Sequence, residues 1–174
     1  MTDSKMPPTS STPPQLSHRL KVERSPKAFG SRAVSLVDLP AGSVFARITN
    51  YTPNTTKAYS SVQVGPNQHI ELNSELLYCN HSCEPTLVFD MSRFEVRVVD
   101  HRPLKVGEPL TFFYPSTEWE MAQPFDCTCG AGTGICKGKI MGAMAMKEED
   151  LEGYWLNPHI VKLLRSREAR KGDK

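Results

Sequence analysis

Asn80-His81-Ser82-Cys83-Glu84-Pro85-Thr86 is the segment on which the reading of this chain turns. It is polar, carries a thiol, and has short β-type runs on both sides. Upstream, Arg19–Arg24, Arg32–Val37 and Ser43–Ile48 read as strands, with Asp38-Leu39-Pro40-Ala41-Gly42 as the turn before the third. Val62–Val64 and His69–Leu72 flank the turn Gly65-Pro66-Asn67. Downstream, Thr86–Asp90 and Phe94–His101 form a hairpin around Met91-Ser92-Arg93. Within it, Phe94-Glu95-Val96-Arg97-Val98 alternates apolar and polar residues as a half-buried strand does. Val106-Gly107-Glu108-Pro109 turns the chain into Leu110–Tyr114. Strands at this spacing predict a mainly β fold of small sheets, not a βαβ repeat. The helices are few. One turn is predicted over Asn73–Leu77 with Asn73 as its cap. Lys147–Leu156 and Pro158–Arg170 follow, and Pro158 suits a first helical position.

Five cysteines are present: Cys79, Cys83, Cys127, Cys129 and Cys136. Their odd number, with no apolar signal stretch over 1–17, argues against a secreted disulfide framework. It predicts an intracellular protein, in nucleus or cytoplasm. Three thiols fall within ten residues, Cys127-Thr128-Cys129-Gly130-Ala131-Gly132-Thr133-Gly134-Ile135-Cys136. A glycine-rich loop lets neighbouring thiols turn toward one ion. A tetrahedral structural zinc site needs four ligands, so a fourth must come from elsewhere, with Cys83 and Cys79 both available. Three reduced, unligated cysteines are the other reading of the same spacing. Gly130, Gly132 and Gly134 lack the strand-to-helix context of a phosphate-binding loop.

The net charge of +2 over 174 residues hides an uneven distribution. Residues 1–27 carry +3 and residues 159–174 carry +4, leaving −5 on residues 28–158. An acidic body disfavours a nucleic-acid binder and leaves room for a cationic ligand. No apolar run is long enough to span a membrane. Residues 1–17, rich in Pro, Ser and Thr, read as a disordered tail.

Three segments stand in a telling order. Lys27-Ala28-Phe29-Gly30-Ser31-Arg32-Ala33 precedes Asn80-His81-Ser82-Cys83-Glu84-Pro85. Then Gly107-Glu108-Pro109-Leu110-Thr111-Phe112-Phe113-Tyr114 leads to Cys127, Cys129 and Cys136. Over about residues 20–143 the chain resembles the SET-domain family of protein lysine methyltransferases with a post-SET cysteine segment. The resemblance implies several small sheets with a pseudoknot, and S-adenosylmethionine as cofactor. It implies cofactor contacts from Ala28, Phe29, Gly30, Asn80 and His81, with Gly30 letting the backbone approach the cofactor. Tyr114 would be the catalytic tyrosine, and Phe112 and Tyr78 would line the substrate channel. Cys83, Cys127, Cys129 and Cys136 would bind one structural zinc ion, leaving Cys79 a buried thiol. The implied layout is a tail over 1–17, a SET domain with a short insert over 18–116, a post-SET zinc segment over 117–143 and a C-terminal helical extension over 144–174. Residues from Phe125 to Gly142 and the terminal helices would cover the cofactor. The expected acceptor is a lysine of a protein, a histone among the candidates, or a small molecule. The alternative is a SET fold repurposed for binding or small-molecule chemistry without protein lysine methylation. This chain has Ala28 where the family has glycine and Thr86 where it has asparagine. Only about thirty residues separate Ile48 from Asn80.

Overall fold

The computed structural model describes residues 15–172. Most of the expected 1–17 tail lies outside the described residues; at its end, Leu16–His18 form a 3-10 turn. The chain then runs β1 (Leu20–Glu23), β2 (Arg32–Ser35), β3 (Val44–Arg47), β4 (Tyr51–Asn54), β5 (Ser61–Gly65) and β6 (Gln68–Leu72). A 3-10 turn, Glu75–Tyr78, leads into β7 (Asn80–His81), β8 (Leu87–Asp90), β9 (Glu95–Val98) and β10 (Thr111–Phe112). A second such turn, Tyr114–Ser116, precedes β11 (Phe125–Asp126) and β12 (Lys139–Ile140). After a last 3-10 turn, Ala143–Ala145, come α1 (Glu148–Leu151) and α2 (Pro158–Gly172). The strands make five small sheets, β1-β2, β3-β9-β8, β4-β6-β5, β7-β10 and β11-β12.

The β8–β9 hairpin shows how the pattern becomes structure. Val96 and Val98 are buried, as their alternation requires, while Arg97 is half-buried. Glu95 breaks the alternation. It is buried too, because Arg47 on the neighbouring β3 pairs with it at 2.6 Å. Asp90 closes the turn, its Oδ1 accepting from Ser92 Oγ at 2.6 Å and from the Arg93 N–H at 3.3 Å. β4 escapes the sequence pattern because Pro53 lies in it. It is an edge strand, where a missing N–H is tolerated.

The predicted helix over Lys147–Leu156 shortens to α1, with Gly153 at φ +80 just beyond it. Asn73 is not a helix cap. Ser74 precedes the turn, and the Asn73 amide donates instead to Thr52 Oγ1 at 2.9 Å. Pro158 does open α2. Just before it, fully buried Asn157 accepts from the Met91 N–H and donates to the carbonyls of Phe89 and Ser116. Its own N–H also reaches Ser116 O. Asn157 thus fastens the C-terminal segment to both the β8 end and the Tyr114–Ser116 turn. Phe113, Ala143, Leu151 and Ile160 form an apolar cluster there, beside the larger core under the sheets. Among the described residues no helix is long and apolar enough to cross a membrane.

Candidate functional site

The parallel pair β7–β10 is the keystone of the site. It sets Asn80 against Thr111 and His81 against Phe112. So the polar segment at 80–86 and the aromatic segment at 111–114 lie side by side. Thr86 clamps them: its hydroxyl donates to Pro109 O at 3.0 Å and accepts from the Thr111 N–H at 2.9 Å. The Ser82 N–H reaches Phe112 O at 3.1 Å. Threonine at position 86 therefore has a definite holding role.

His81 joins two parts of the site. The Tyr114 N–H donates to its Nδ1 at 3.2 Å, so the ring proton sits on Nε2, which faces Cys83 Sγ at 3.3 Å. Burial lowers the imidazole to about 4, so the ring stays neutral near pH 7. The Tyr114 hydroxyl donates to Cys79 O at 3.2 Å. Burial pushes that phenol well above its ordinary range, so it keeps its proton. Phe112 stacks on Phe89 with centroids 4.0 Å apart and leans on Tyr114 at 4.7 Å.

Cys83, Cys127, Cys129 and Cys136 bring their sulfurs within 4.8 Å of one another. Thiolates bound tetrahedrally to zinc at about 2.3 Å have their sulfurs roughly 3.8 Å apart. The Cys83–Cys127 separation of 3.9 Å matches that spacing. The Lys137 N–H points at Cys83 Sγ at 3.3 Å, and with His81 it supplies outer hydrogen bonds of the kind that steady a thiolate. The four-thiol set therefore fits a structural zinc ion, with Cys83 as the fourth member. Cys79 lies outside it, buried, with its thiol raised by burial. Tyr154, unsuspected in the sequence, braces this corner. Its hydroxyl donates to Cys83 O, and its ring stacks on Phe113 at 3.7 Å.

Two cavities meet at Tyr114. A cleft of about 760 Å³ is lined by Ala28, Phe29, Asn80, His81, Tyr114 and the stretch from Phe125 to Ala131, among others. A smaller cavity of about 50 Å³ is lined by Val62, Leu76, Phe112, Tyr114, Glu118 and Met121, among others. Tyr59, Tyr114 and Met121 line both. Two expected site residues are placed elsewhere. Gly30 is not in the cleft lining; the space its Cβ would take is filled by Ser25, whose Oγ would stand at 2.5 Å. Its glycine identity thus serves the packing of its own loop. Tyr78 lines neither cavity, because Arg24 draws it aside: the guanidinium lies 4.6 Å over the ring and donates to its hydroxyl. The terminal helices also line neither cavity.

Tyr59, which the sequence did not single out, lines both cavities beside the expected contact Phe29. Phe29 stands 73% exposed at φ 57, an uncommon conformation for a side chain of its size, with Tyr59 edge-on at 6.0 Å. Phe125 packs edge-on to His81 and Tyr114. Of the cleft's charges, Arg102 pairs with Glu108 and Arg32 with Glu23, while Glu84 and Asp126 make no ion pair among the described residues.

Fold and site together define a mainly β protein with a four-thiol cluster able to hold a metal ion, beside a cleft of cofactor size. No protein-family model matches the chain. Over 145 residues it is 54% identical to "Methyltransferase flvH" of Aspergillus flavus, an alignment spanning 83% of this chain and 80% of that protein. The chain belongs to the family of that methyltransferase.

Proposed function

We propose that the chain is a SET-domain methyltransferase that uses S-adenosylmethionine to methylate an amine nitrogen, with protein lysine as the leading acceptor. The proposed layout keeps the SET domain over 18–116, the zinc segment over 117–143 and the helical extension over 144–174. The observation that carries the reading is the place of Tyr114, in the wall common to a cofactor-sized cleft and a narrow cavity. When bound in the cleft, S-adenosylmethionine would supply a methyl group on a sulfonium for in-line transfer to a nitrogen lone pair.

The residues divide the work. Ala28, Phe29, Asn80, His81 and Phe125 would hold the cofactor. Asn80 spends an N–H on Ser31 O, at 3.0 Å, and keeps its Oδ1 free to accept. Glu84 and Asp126 favour a positively charged guest. Exposed Phe29 and Tyr59 would close over it. Tyr114 orients rather than deprotonates. Its proton is committed to Cys79 O, so its oxygen presents lone-pair density toward a developing positive charge. Most of the rate gain in such a site is orientation, up to about 7–11 kcal/mol in favourable cases. Phe112, where a tyrosine would crowd the channel, leaves room for a second or third methyl. Zinc would act structurally, fixing the stretch from Cys127 to Cys136 against β7.

A small-molecule amine is the second reading. It is favoured by the brevity of the segment between β3 and β7, which holds only the β4-β6-β5 strands and one 3-10 turn. That leaves little chain to wall a peptide groove. The test is incubation of the zinc-loaded protein with methyl-labelled S-adenosylmethionine, core histones, free lysine and simple alkylamines. Label on a protein lysine supports the first acceptor, and label on a free amine supports the second. No label, with no cofactor binding by calorimetry, would overturn methyl transfer.

A further inference from the structure

Glu118 lies in the small cavity beside Tyr114 and is 8% exposed. A buried carboxylate costs several kcal/mol unless a cation or a full set of donors compensates it. Glu118 has only part of that compensation. Its Oε1 accepts from the Gln63 N–H at 2.8 Å and from Thr117 Oγ1 at 3.1 Å. Among the described residues no hydrogen bond falls on Oε2, and no ion pair involves Glu118. Lys57 is the cation that acts on it electrostatically, yet the Lys57 ammonium is bonded to Glu120 at 3.1 Å. The rest of the wall is mixed: Ser60, Ser61 and Tyr59 are polar, while Val62, Leu72, Leu76 and Phe112 give it an apolar side.

We infer that Glu118 is the residue that recognises the acceptor, taking a primary ammonium headgroup into the small cavity while the apolar side packs its alkyl stem. This rests on the methyl-transfer reading above and names the chemistry that reading left open. Size agrees with it. One water needs roughly 10–15 Å³, so a cavity of about 50 Å³ has room for about three to five heavy atoms, enough for an ammonium group and the adjoining carbons of its stem. Charge agrees as well. Desolvation pushes the Glu118 carboxyl up to about 7, and a cation beside it would hold it ionised. The ammonium sheds its proton to water before transfer, and Tyr114 faces the resulting amine.

The test uses the full chain, zinc-loaded and saturated with S-adenosylhomocysteine, titrated with n-butylamine and with 1-butanol at pH 7 by calorimetry. Butylamine is expected to bind about tenfold or more tighter than butanol. Glu118→Gln keeps an oxygen for Gln63 and Thr117, yet should bring the two ligands within about twofold, with S-adenosylhomocysteine affinity unchanged. Equal binding of both ligands to the unaltered protein, or a preference that survives Glu118→Gln, would overturn the inference. If the variant does not fold, the Glu118 carboxyl carbon is followed by NMR in the unaltered protein. Butylamine should move it to its ionised position, and no movement is contrary. Failure of S-adenosylhomocysteine to bind at all would instead strike the methyl-transfer reading, and the amine titration can then be run on the cofactor-free chain.

Discussion

The cleft and the small cavity share Tyr114 but are built in opposite ways. The cleft takes much of its wall from Phe125 to Ala131, a stretch with little secondary structure beyond β11 and hydrogen-bonded to few other segments. Its shape depends on four sulfurs gathered at one point. The small cavity is walled by β5, β6 and the Glu75–Tyr78 turn, which belong to the main core, where Ile70, Leu72, Leu76 and Phe112 are buried. One cavity is shaped by a four-thiol cluster suited to a metal ion and the other by the packing of the main core. The two should therefore fail separately.

Stripping the metal should have the largest effect, and only on the cleft. Chelation at neutral pH is expected to lower S-adenosylhomocysteine affinity by about a hundredfold or more, since outer bonds from His81 and Lys137 cannot replace a metal. The far-ultraviolet circular dichroism of the β core should hardly change. Unfolding of the core together with the loop would erase the distinction. Tyr114→Phe touches both cavities. It should slow methyl transfer by about a hundredfold, a loss on the order of 3 kcal/mol in barrier. Cofactor affinity, measured alongside, should shift by less than about threefold.

Two smaller effects concern stability. Asn157→Ala orphans the Met91 N–H and removes the side-chain donor from the carbonyls of Phe89 and Ser116, although Ser116 O keeps the backbone N–H of residue 157. At about 1–3 kcal/mol for each buried group left unpaired, partly relieved by water, the expected cost is roughly 2–4 kcal/mol by urea unfolding. The protein that remains folded should retain its turnover. Glu118 should set a slope of stability against pH. Its carboxyl is raised from 4.5 to about 7 in the folded state, so the folded protein binds the extra proton between those values. The contribution is full below pH 4.5 and lost as pH rises through 7. Its size is at most about 3 kcal/mol. Buried His69, His81 and His159 act in the other direction, since burial lowers each of them. The slope is therefore read as the difference between the unaltered chain and Glu118→Gln, unfolded by urea at pH 5 and pH 8.

What the sequence disclosed follows the same division. The thiol cluster was legible in part: Cys127, Cys129 and Cys136 stand close together in the chain, while spacing left Cys83 and Cys79 both open as the fourth member and the family resemblance chose Cys83; the β8–β9 hairpin was legible because a half-buried strand alternates. The roles of Gly30 and Tyr78 were not legible. Each is decided by a neighbour distant in pattern, Ser25 filling the space at one and Arg24 capturing the ring of the other. Glu118 gave no signal, because a lone carboxylate becomes unusual only once it is buried. Asn157 and Tyr154 were equally silent. They are single polar residues whose partners lie 41 to 71 positions away in the chain.

A crystal structure with S-adenosylhomocysteine bound tests the central claim most directly. The account predicts the ligand in the cleft, between Phe29 and Asn80, with its sulfur at the Tyr114 end and facing the cavity that holds Glu118. A ligand bound elsewhere, or one whose sulfur points away from Tyr114, would contradict it.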